Sequence, residues 1–292
     1  MKFQQKPYYN DPRSLGFSHA KLFGTVAPKN LPTSLLRPRP VPYNQMNTTR
    51  CTGYGSAQNG YHIHHVYFNP DWQAAKIGEK QGYSVDNRGG DPNATMKVER
   101  DNGFLPVDRT SINLEQDGIE GSGWDKFPTT LDADAEAYTV AGFVKVDSSA
   151  YDTFDAIKSA LFMAYDPTTQ TGACVQAFGK WYTEWTYARI IPKYYGDFAG
   201  YHHYLFIDFV EMSGTQYLVA QNSYGPYIGD GGYHYFPREV VNKEFNIPGT
   251  TLKICKALTT AQVSLAKTET PAGRIQRIIA KMWYTISNFY LN

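Results

Sequence analysis

Cys51, the adjacent pair His202 and His203, and Asn222 are the residues of this 292-residue chain whose types and spacing could do chemistry together. A thiol in the first turn of a helix feels the positive end of the helix dipole, and a neighbouring imidazolium lowers its pKa further. The resulting thiolate attacks carbonyl carbon. Gln45 precedes Cys51 by one short loop, so its side-chain amide and the Cys51 backbone N–H are candidates to donate to the oxyanion formed in that attack. Residues 202–210 and 215–221 are aromatic and aliphatic runs separated by Glu211-Met212-Ser213-Gly214, which is turn chemistry and reads as a hairpin. A turn centred near Met212 and Ser213 sets residues near 202 opposite residues near 222, so His202 or His203 lies beside Asn222. Opposed side chains sit roughly 4.5 to 5.5 Å apart at Cβ, close enough for an amide oxygen to hold an imidazole N–H. The other ring nitrogen then faces a third group, the logic of a base oriented for nucleophilic catalysis.

The elements that must position these residues are legible to different degrees. Asn47, Thr48 and Thr49 are candidates to cap a helix that carries Cys51, with Tyr54, Ala57, Tyr61 and His65 at helical spacing. Gly53, Gly55 and Gly60 make it a poor helix on propensity alone. Residues 70–82 read as a helix, and Arg88-Gly89-Gly90-Asp91-Pro92 reads as a loop before a second short helix ending near Gly103. A long polar connection over 108–134 precedes an expected strand at 138–146 and a helix at 152–163 with Phe154, Ile157, Ala160 and Leu161 on one face. Helices early and strands late argue for an α+β layout over alternating βαβ units.

Composition narrows the function classes. Hydrophobic residues make up 42% of the chain, enough for a substantial core. Lys and Arg total 28 against 27 Asp and Glu, so no global field steers the protein toward nucleic acid, and no nucleic-acid partner is expected. The 23 Tyr and 16 Phe suit apolar cores, contact surfaces and clefts that grip extended chains alike. Cys51, Cys174 and Cys255 stand far apart, outside any CxxC or zinc-ribbon spacing, which favours a reducing compartment. The polar start, Met1-Lys2-Phe3-Gln4-Gln5-Lys6-Pro7, lacks the apolar core of a cleavable signal, and no run reaches the roughly 18 apolar residues of a membrane span. Residues 1–30 read as an extended arm. From 248 to 292 a C-terminal extension is expected, ending in an amphipathic helix that Pro271 starts. Ile275, Ile278, Ile279, Met282, Ile286 and Phe289 form its apolar side, with Arg274, Arg277 and Lys281 giving a basic one. Such a helix docks on its own domain, on a partner or second copy, or on a membrane surface.

The candidate residues fall in blocks that resemble the papain-like cysteine peptidases. Gln45-Met46-Asn47-Thr48-Thr49-Arg50-Cys51 is similar to the family segment in which a glutamine precedes the catalytic cysteine by six residues. The run His202-His203-Tyr204-Leu205-Phe206-Ile207-Asp208-Phe209 resembles the catalytic-histidine strand. Asp208-Phe209 then matches the family's Gly-Tyr pair and favours His202 as the base. Gln221-Asn222-Ser223-Tyr224-Gly225, with Gly229-Asp230-Gly231-Gly232-Tyr233 after it, resembles the Asn-Ser-Trp-Gly segment and its Trp-Gly-x-x-Gly-Tyr sequel. The histidine follows the cysteine by roughly 150 residues, as in papain-like enzymes. Leu31-Pro32-Thr33-Ser34, Asn69-Pro70-Asp71-Trp72 and Asn102-Gly103-Phe104-Leu105-Pro106 extend the likeness over about residues 31 to 245, in a style nearer bacterial and phage-type members than lysosomal ones. Departures are Arg50-Cys51-Thr52-Gly53-Tyr54 in place of Cys-Gly-Ser-Cys-Trp, Tyr224 and Ile228 for two tryptophans, Asp208 for a glycine and His203 for a small residue.

The resemblance implies a two-lobed papain-like fold, with a helical lobe over about 45–135 and a β-rich, barrel-like lobe over about 136–247. It implies a peptide or protein substrate bound in extended form between them. Cys51 is the implied nucleophile, His202 the base, Asn222 its orienting group and Gln45 the oxyanion donor. Peptide hydrolysis through a Cys51 thioester is the expected function, with no cofactor or metal. The departures motivate a second reading, a papain-like module kept as a structural or binding component, for example of a virus particle, so the expected location is the cytoplasm or such a particle. Transamidation uses the same residues. Cys174 and Cys255 read as structural. His62, His64 and His65 point in different directions and lack an acidic or cysteine partner at ligand spacing, so they read as packing residues rather than a metal cluster. Arg88-Gly89-Gly90-Asp91 reads as a surface turn, or as a loop whose backbone pairs with substrate.

Overall fold

The computed structural model describes residues 26–112, 127–146, 148–149, 151–193 and 196–256. Most of the expected amino-terminal arm and the expected C-terminal amphipathic helix lie outside the described residues.

Among the described residues, four helices fill the stretch from 51 to 101: α1 (Cys51–His64), α2 (Pro70–Gln81), α3 (Val85–Arg88) and α4 (Pro92–Asp101). Local chemistry starts α2, where Pro70 follows Asn69, whose side chain accepts the Trp72 N–H at 2.8 Å. Asp91 caps α4 in the same way, accepting from the Asn93 and Ala94 N–H groups. α1 departs from expectation, because it starts at Cys51 with Arg50 at the cap position and no side-chain cap. The threonines expected to cap it are engaged elsewhere, Thr48 Oγ1 donating to Gln45 O and Thr49 Oγ1 to Val85 O. Arg50 instead pairs with Asp71 and Asp86 and so ties the start of α1 to α2 and α3.

α1 overrides its poor propensity through burial, since residues 51–60 are all buried. Gly55 has a packing reason: a Cβ there would sit 2.6 Å from Nδ1 of His203, so only a bare backbone lets the strand approach the helix. Trp72, Ala75, Leu105, Phe127 and Ala135 form a core of their own beneath the helices, and Ala135 lies in α5 (Leu131–Glu136).

The second half is sheet. Six strands, β1 (Gly142–Lys145), β4 (Val175–Tyr182), β5 (Phe198–Met212), β6 (Thr215–Gln221), β7 (Tyr233–Pro237) and β8 (Thr251–Lys256), are ordered β1-β8-β4-β5-β6-β7. All their pairings are antiparallel. A small separate pair joins β2 (Tyr165–Asp166) to β3 (Thr171–Gly172). One side of the large sheet packs on α6 (Thr153–Ala164) and α7 (Arg238–Glu244), where Phe154, Ile157, Phe206, Phe236 and Val241 are buried together.

Three expectations change. The lobe expected to be barrel-like is an open sheet among the described residues, with β1 and β7 at its edges. The strand expected over 138–146 shortens to Gly142–Lys145, because Tyr138 N and Val140 N donate to Ala135 O and Glu99 O instead of to a neighbouring strand. The sheet also takes in β8 between β1 and β4, beyond the boundary expected at residue 247.

Asp208 explains its place in the strand. A bulge in the β5–β6 ladder between Phe206 and Asp208 shifts the register there. The Asp208 carboxylate accepts from Leu35 N at 2.8 Å, Ser34 Oγ at 3.2 Å and Arg37 N at 3.3 Å, fastening the incoming chain to the sheet. Arg37 continues inward and donates to the carbonyls of Gly172 and Ala173.

Candidate active site

The four sequence-predicted residues gather where α1 meets β5 and the loop after β6. Cys51 opens α1 and is buried. Burial pushes its thiol up to about 12, opposed by N–H donation from the backbones of His203, Thr52 and Cys51 itself. The missing side-chain cap has a consequence at this point, since the first N–H groups of α1 are left to serve the sulfur. A backbone donor from His203 also shows how closely β5 passes Cys51.

His202 and His203 point to opposite faces of β5, as neighbours on a strand must. The His202 ring meets Asn222, its Nε2 lying 2.8 Å from Asn222 Oδ1. His203 turns toward α1, packs on Gly55 and stacks on Phe178 with ring centroids 4.1 Å apart. The structure therefore pairs His202 and not His203 with the asparagine. Because the Asn222 oxygen can only accept, His202 Nε2 carries the proton and Nδ1 is the nitrogen left to act as a base. Burial pushes His202 down to about 4, partly offset by the Asn222 hydrogen bond. Buried separately, thiol and imidazole both favour their uncharged forms; a proton passed from sulfur to ring would leave two opposite charges that stabilise each other.

The pair is not cross-strand as the simple hairpin reading supposes. His202 stands opposite Gly179 on β4, and the β5–β6 ladder ends at Leu205 and Gln221. The bulge moves the register, and Asn222 leaves the ladder with its own N–H on Gly232 O. Its side chain then reaches back past the ladder end to His202.

Gln45 joins the group through Ser223. The Gln45 N–H donates to Ser223 O at 2.7 Å, and Ser223 Oγ donates to Gln45 Oε1 at 2.5 Å. The Ser223 N–H donates to Asn222 Oδ1 at 2.7 Å, completing a chain from Gln45 to His202. One hydrogen of the Gln45 amide goes to Thr48 O, and an amide carries two. Aromatic rings enclose the imidazole: Tyr224 lies parallel to it at 5.2 Å and 18°, and Trp181 meets it edge-on at 5.2 Å. Tyr224 also neighbours Cys51; its hydroxyl is pushed well above its ordinary value, by burial first and by Cys51 second.

Ser223, Trp181 and His234 are the residues of this group to which sequence reasoning gave no role. Ser223 was visible as the neighbour of Asn222, but its bond to Gln45 spans 178 residues. The three clustered imidazoles disperse, His62 to Gln221, His64 against Phe68, Phe104 and Tyr138, and His65 to Gln170 O.

No family model matches the chain, and no curated protein matches it in sequence. Solved structures do match. Xylellain, a cysteine protease from Xylella fastidiosa, superimposes with a TM-score of 0.67 over 88% of this chain and 96% of its own, at 17% identity. Digestive procathepsin L 3 of the Tenebrio molitor larval midgut gives 0.57 at 12% identity, covering 84% and 74% of the two chains. The bromelain protease from Ananas comosus, in complex with the E64 inhibitor, gives 0.55 at 13% identity, covering 78% and 100%. The chain thus has the two-lobed papain-like fold. No helix among the described residues is long and apolar enough to cross a membrane.

Proposed function

We propose that this chain is a cysteine peptidase that cleaves peptide bonds through a thioester on Cys51. The observation that carries the reading is the His202–Asn222 hydrogen bond on the strand whose backbone donates to the Cys51 sulfur. The papain-like fold supports a cysteine peptidase at the level of the family.

In the proposed reaction His202 Nδ1 takes the thiol proton, and the Cys51 sulfur bonds to the substrate carbonyl carbon. The second Gln45 amide hydrogen and the Cys51 N–H hold the oxyanion. The carbon–nitrogen bond then breaks, the amine leaves with the proton from His202, and the Cys51 acyl thioester remains. Water, deprotonated by His202, attacks the thioester, releasing the carboxylic acid and restoring the thiol.

Cys51→Ala tests the assignment, because the substitution is small and removes the nucleophile. Turnover of a denatured-protein substrate is expected to vanish while the far-UV spectrum stays unchanged; undiminished turnover overturns the reading. His202→Ala is expected to silence the enzyme, and silencing by His203→Ala with His202→Ala spared would reverse the assignment of the base. A second reading, a papain-like module with weak turnover that serves in binding, draws on the burial that pushes Cys51 up to about 12. Slow reaction of Cys51 with electrophiles separates it from the first.

A further inference from the structure

We propose that His234 is a positioning residue: it accepts a hydrogen bond from the Asn222 side-chain NH2 and so fixes which end of that amide faces His202. The inference rests on the peptidase reading for its consequence in catalysis, but its geometry stands independently.

His234 is fully buried on β7, opposite Ala220. Its Nδ1 lies 2.8 Å from the carbonyl oxygen of Ala188. A carbonyl only accepts, so Nδ1 bears the proton and Nε2 of the neutral ring is an acceptor. Burial keeps the ring neutral, pushing its pKa down to about 4. Nε2 lies 3.4 Å from Asn222 Nδ2, which has hydrogens to give.

The two ends of an asparagine amide are nearly the same size, so shape alone does not distinguish them. Hydrogen bonding does. Asn222 Oδ1 takes the Ser223 N–H at 2.7 Å and His202 at 2.8 Å, while His234 takes the nitrogen end. With the oxygen toward His202, its Nε2 must carry the proton and Nδ1 is the unprotonated nitrogen; a flipped amide would demand the opposite tautomer. His234, with the Ser223 N–H on the other end of the amide, thereby acts on the tautomer of the His202 ring.

The surroundings hold His234 as firmly as His202. Trp181 stands edge-on to both rings, at 5.3 and 5.2 Å. Gly229 leaves the imidazole its space: at φ +56° it takes a conformation that side chains rarely adopt, and a Cβ there would sit 2.8 Å from His234 Cε1.

The test compares the full chain with His234→Leu, which fills the space without an acceptor, and His234→Gln, whose Oε1 restores one. Two readouts are taken: 15N spectra of the His202 ring, and kcat and KM on a denatured-protein substrate. The spectra are taken in a Cys51→Ala background, where no thiol proton can pass to the ring, and there His202 is expected to be neutral and protonated at Nε2. His234→Leu is expected to mix in the Nδ1–H tautomer and to lower kcat on the order of 10-fold at similar KM, as loss of an outer orienting partner does. His234→Gln is expected to restore both. An unchanged His202 tautomer in folded His234→Leu overturns the proposal, as does a His234→Gln variant that folds but matches His234→Leu. If the wild type turns over no substrate, the peptidase reading fails while the tautomer spectra still decide the role of His234.

Discussion

His202 and Asn222 meet at 2.8 Å although neither stands opposite the other in the sheet. Asn222 Oδ1 fixes His202 with its proton on Nε2, and Tyr224 and Trp181 wall the pair off from water. Removing the amide leaves the imidazole free to take the unproductive tautomer. Asn222→Ala is therefore expected to lower kcat by about 10- to 100-fold with little change in KM, measured on a denatured-protein substrate. An equal rise in KM with kcat unchanged would mean that Asn222 serves binding instead.

Tyr224 stacks on His202 where the resembling family carries a tryptophan. Tyr224→Trp is expected to keep kcat within about threefold, since a larger ring preserves the apolar cover. Tyr224→Ala is expected to admit water to the His202–Asn222 bond and to speed exchange of the Nε2 proton, followed by NMR. Unchanged exchange in the alanine variant would show that other groups shield the bond.

The sequence made the four candidate residues legible because their spacing is local to two loops and one hairpin. Gln45 and Cys51 flank one loop, and a recognisable turn joins the strands that lead to His202 and Asn222. What stayed hidden depends on contacts between distant segments. No local pattern marks the bulge before Asp208, since it is fixed by the chain near Leu35 that the carboxylate binds. Strand β8 lies beyond the region of resemblance, and its place between β1 and β4 follows from pairing partners more than 70 residues away in sequence, Lys253 with Gln176 among them. His234 is one apolar-flanked histidine on a strand, and nothing in its neighbourhood announces that Asn222 will lie against it.

Asp208 holds the chain near Leu35 through hydrogen bonds and lies near the buried Arg37 cation. Asp208→Ala would strip acceptors from three buried N–H groups, those of Leu35, Arg37 and Phe209, and remove a counter-charge from that guanidinium. A loss of ~2–4 kcal/mol in stability is expected from urea unfolding. A loss below about 0.5 kcal/mol would show that water takes over these bonds.

Glu99 gives the fold a pH dependence of definite sign. It is buried between α1, α4, β4 and β8, accepting from Ser56, Asn59, Gln176 and the Cys255 thiol. Burial pushes it up to about 7 from 4.5. The folded protein thus holds this proton more tightly than the unfolded chain. Its contribution is complete below the unfolded value and is lost as pH rises through about 7. The loss is on the order of 3 kcal/mol at alkaline pH. Glu244, also raised to about 7 by burial, adds a slope of the same sign. Tm is expected to fall between about pH 5 and about pH 7.5, and Glu99→Gln to remove roughly half of that slope even if its Tm is lower throughout. A slope identical to wild type in Glu99→Gln would contradict the assignment.

The reactivity of Cys51 tests the account most directly. Burial alone holds the thiol near 12, so fast reaction at neutral pH requires His202 to accept its proton. The measurement is the rate of iodoacetamide alkylation at pH 7, with the labelled cysteine located by mass spectrometry, in the wild type and in His202→Ala. The account predicts that Cys51 is labelled ahead of Cys174 and Cys255, at least about 10-fold faster than the thiols of the unfolded chain, and that His202→Ala abolishes this advantage. Labelling of Cys51 no faster than an unfolded thiol, or equally fast without His202, would contradict it.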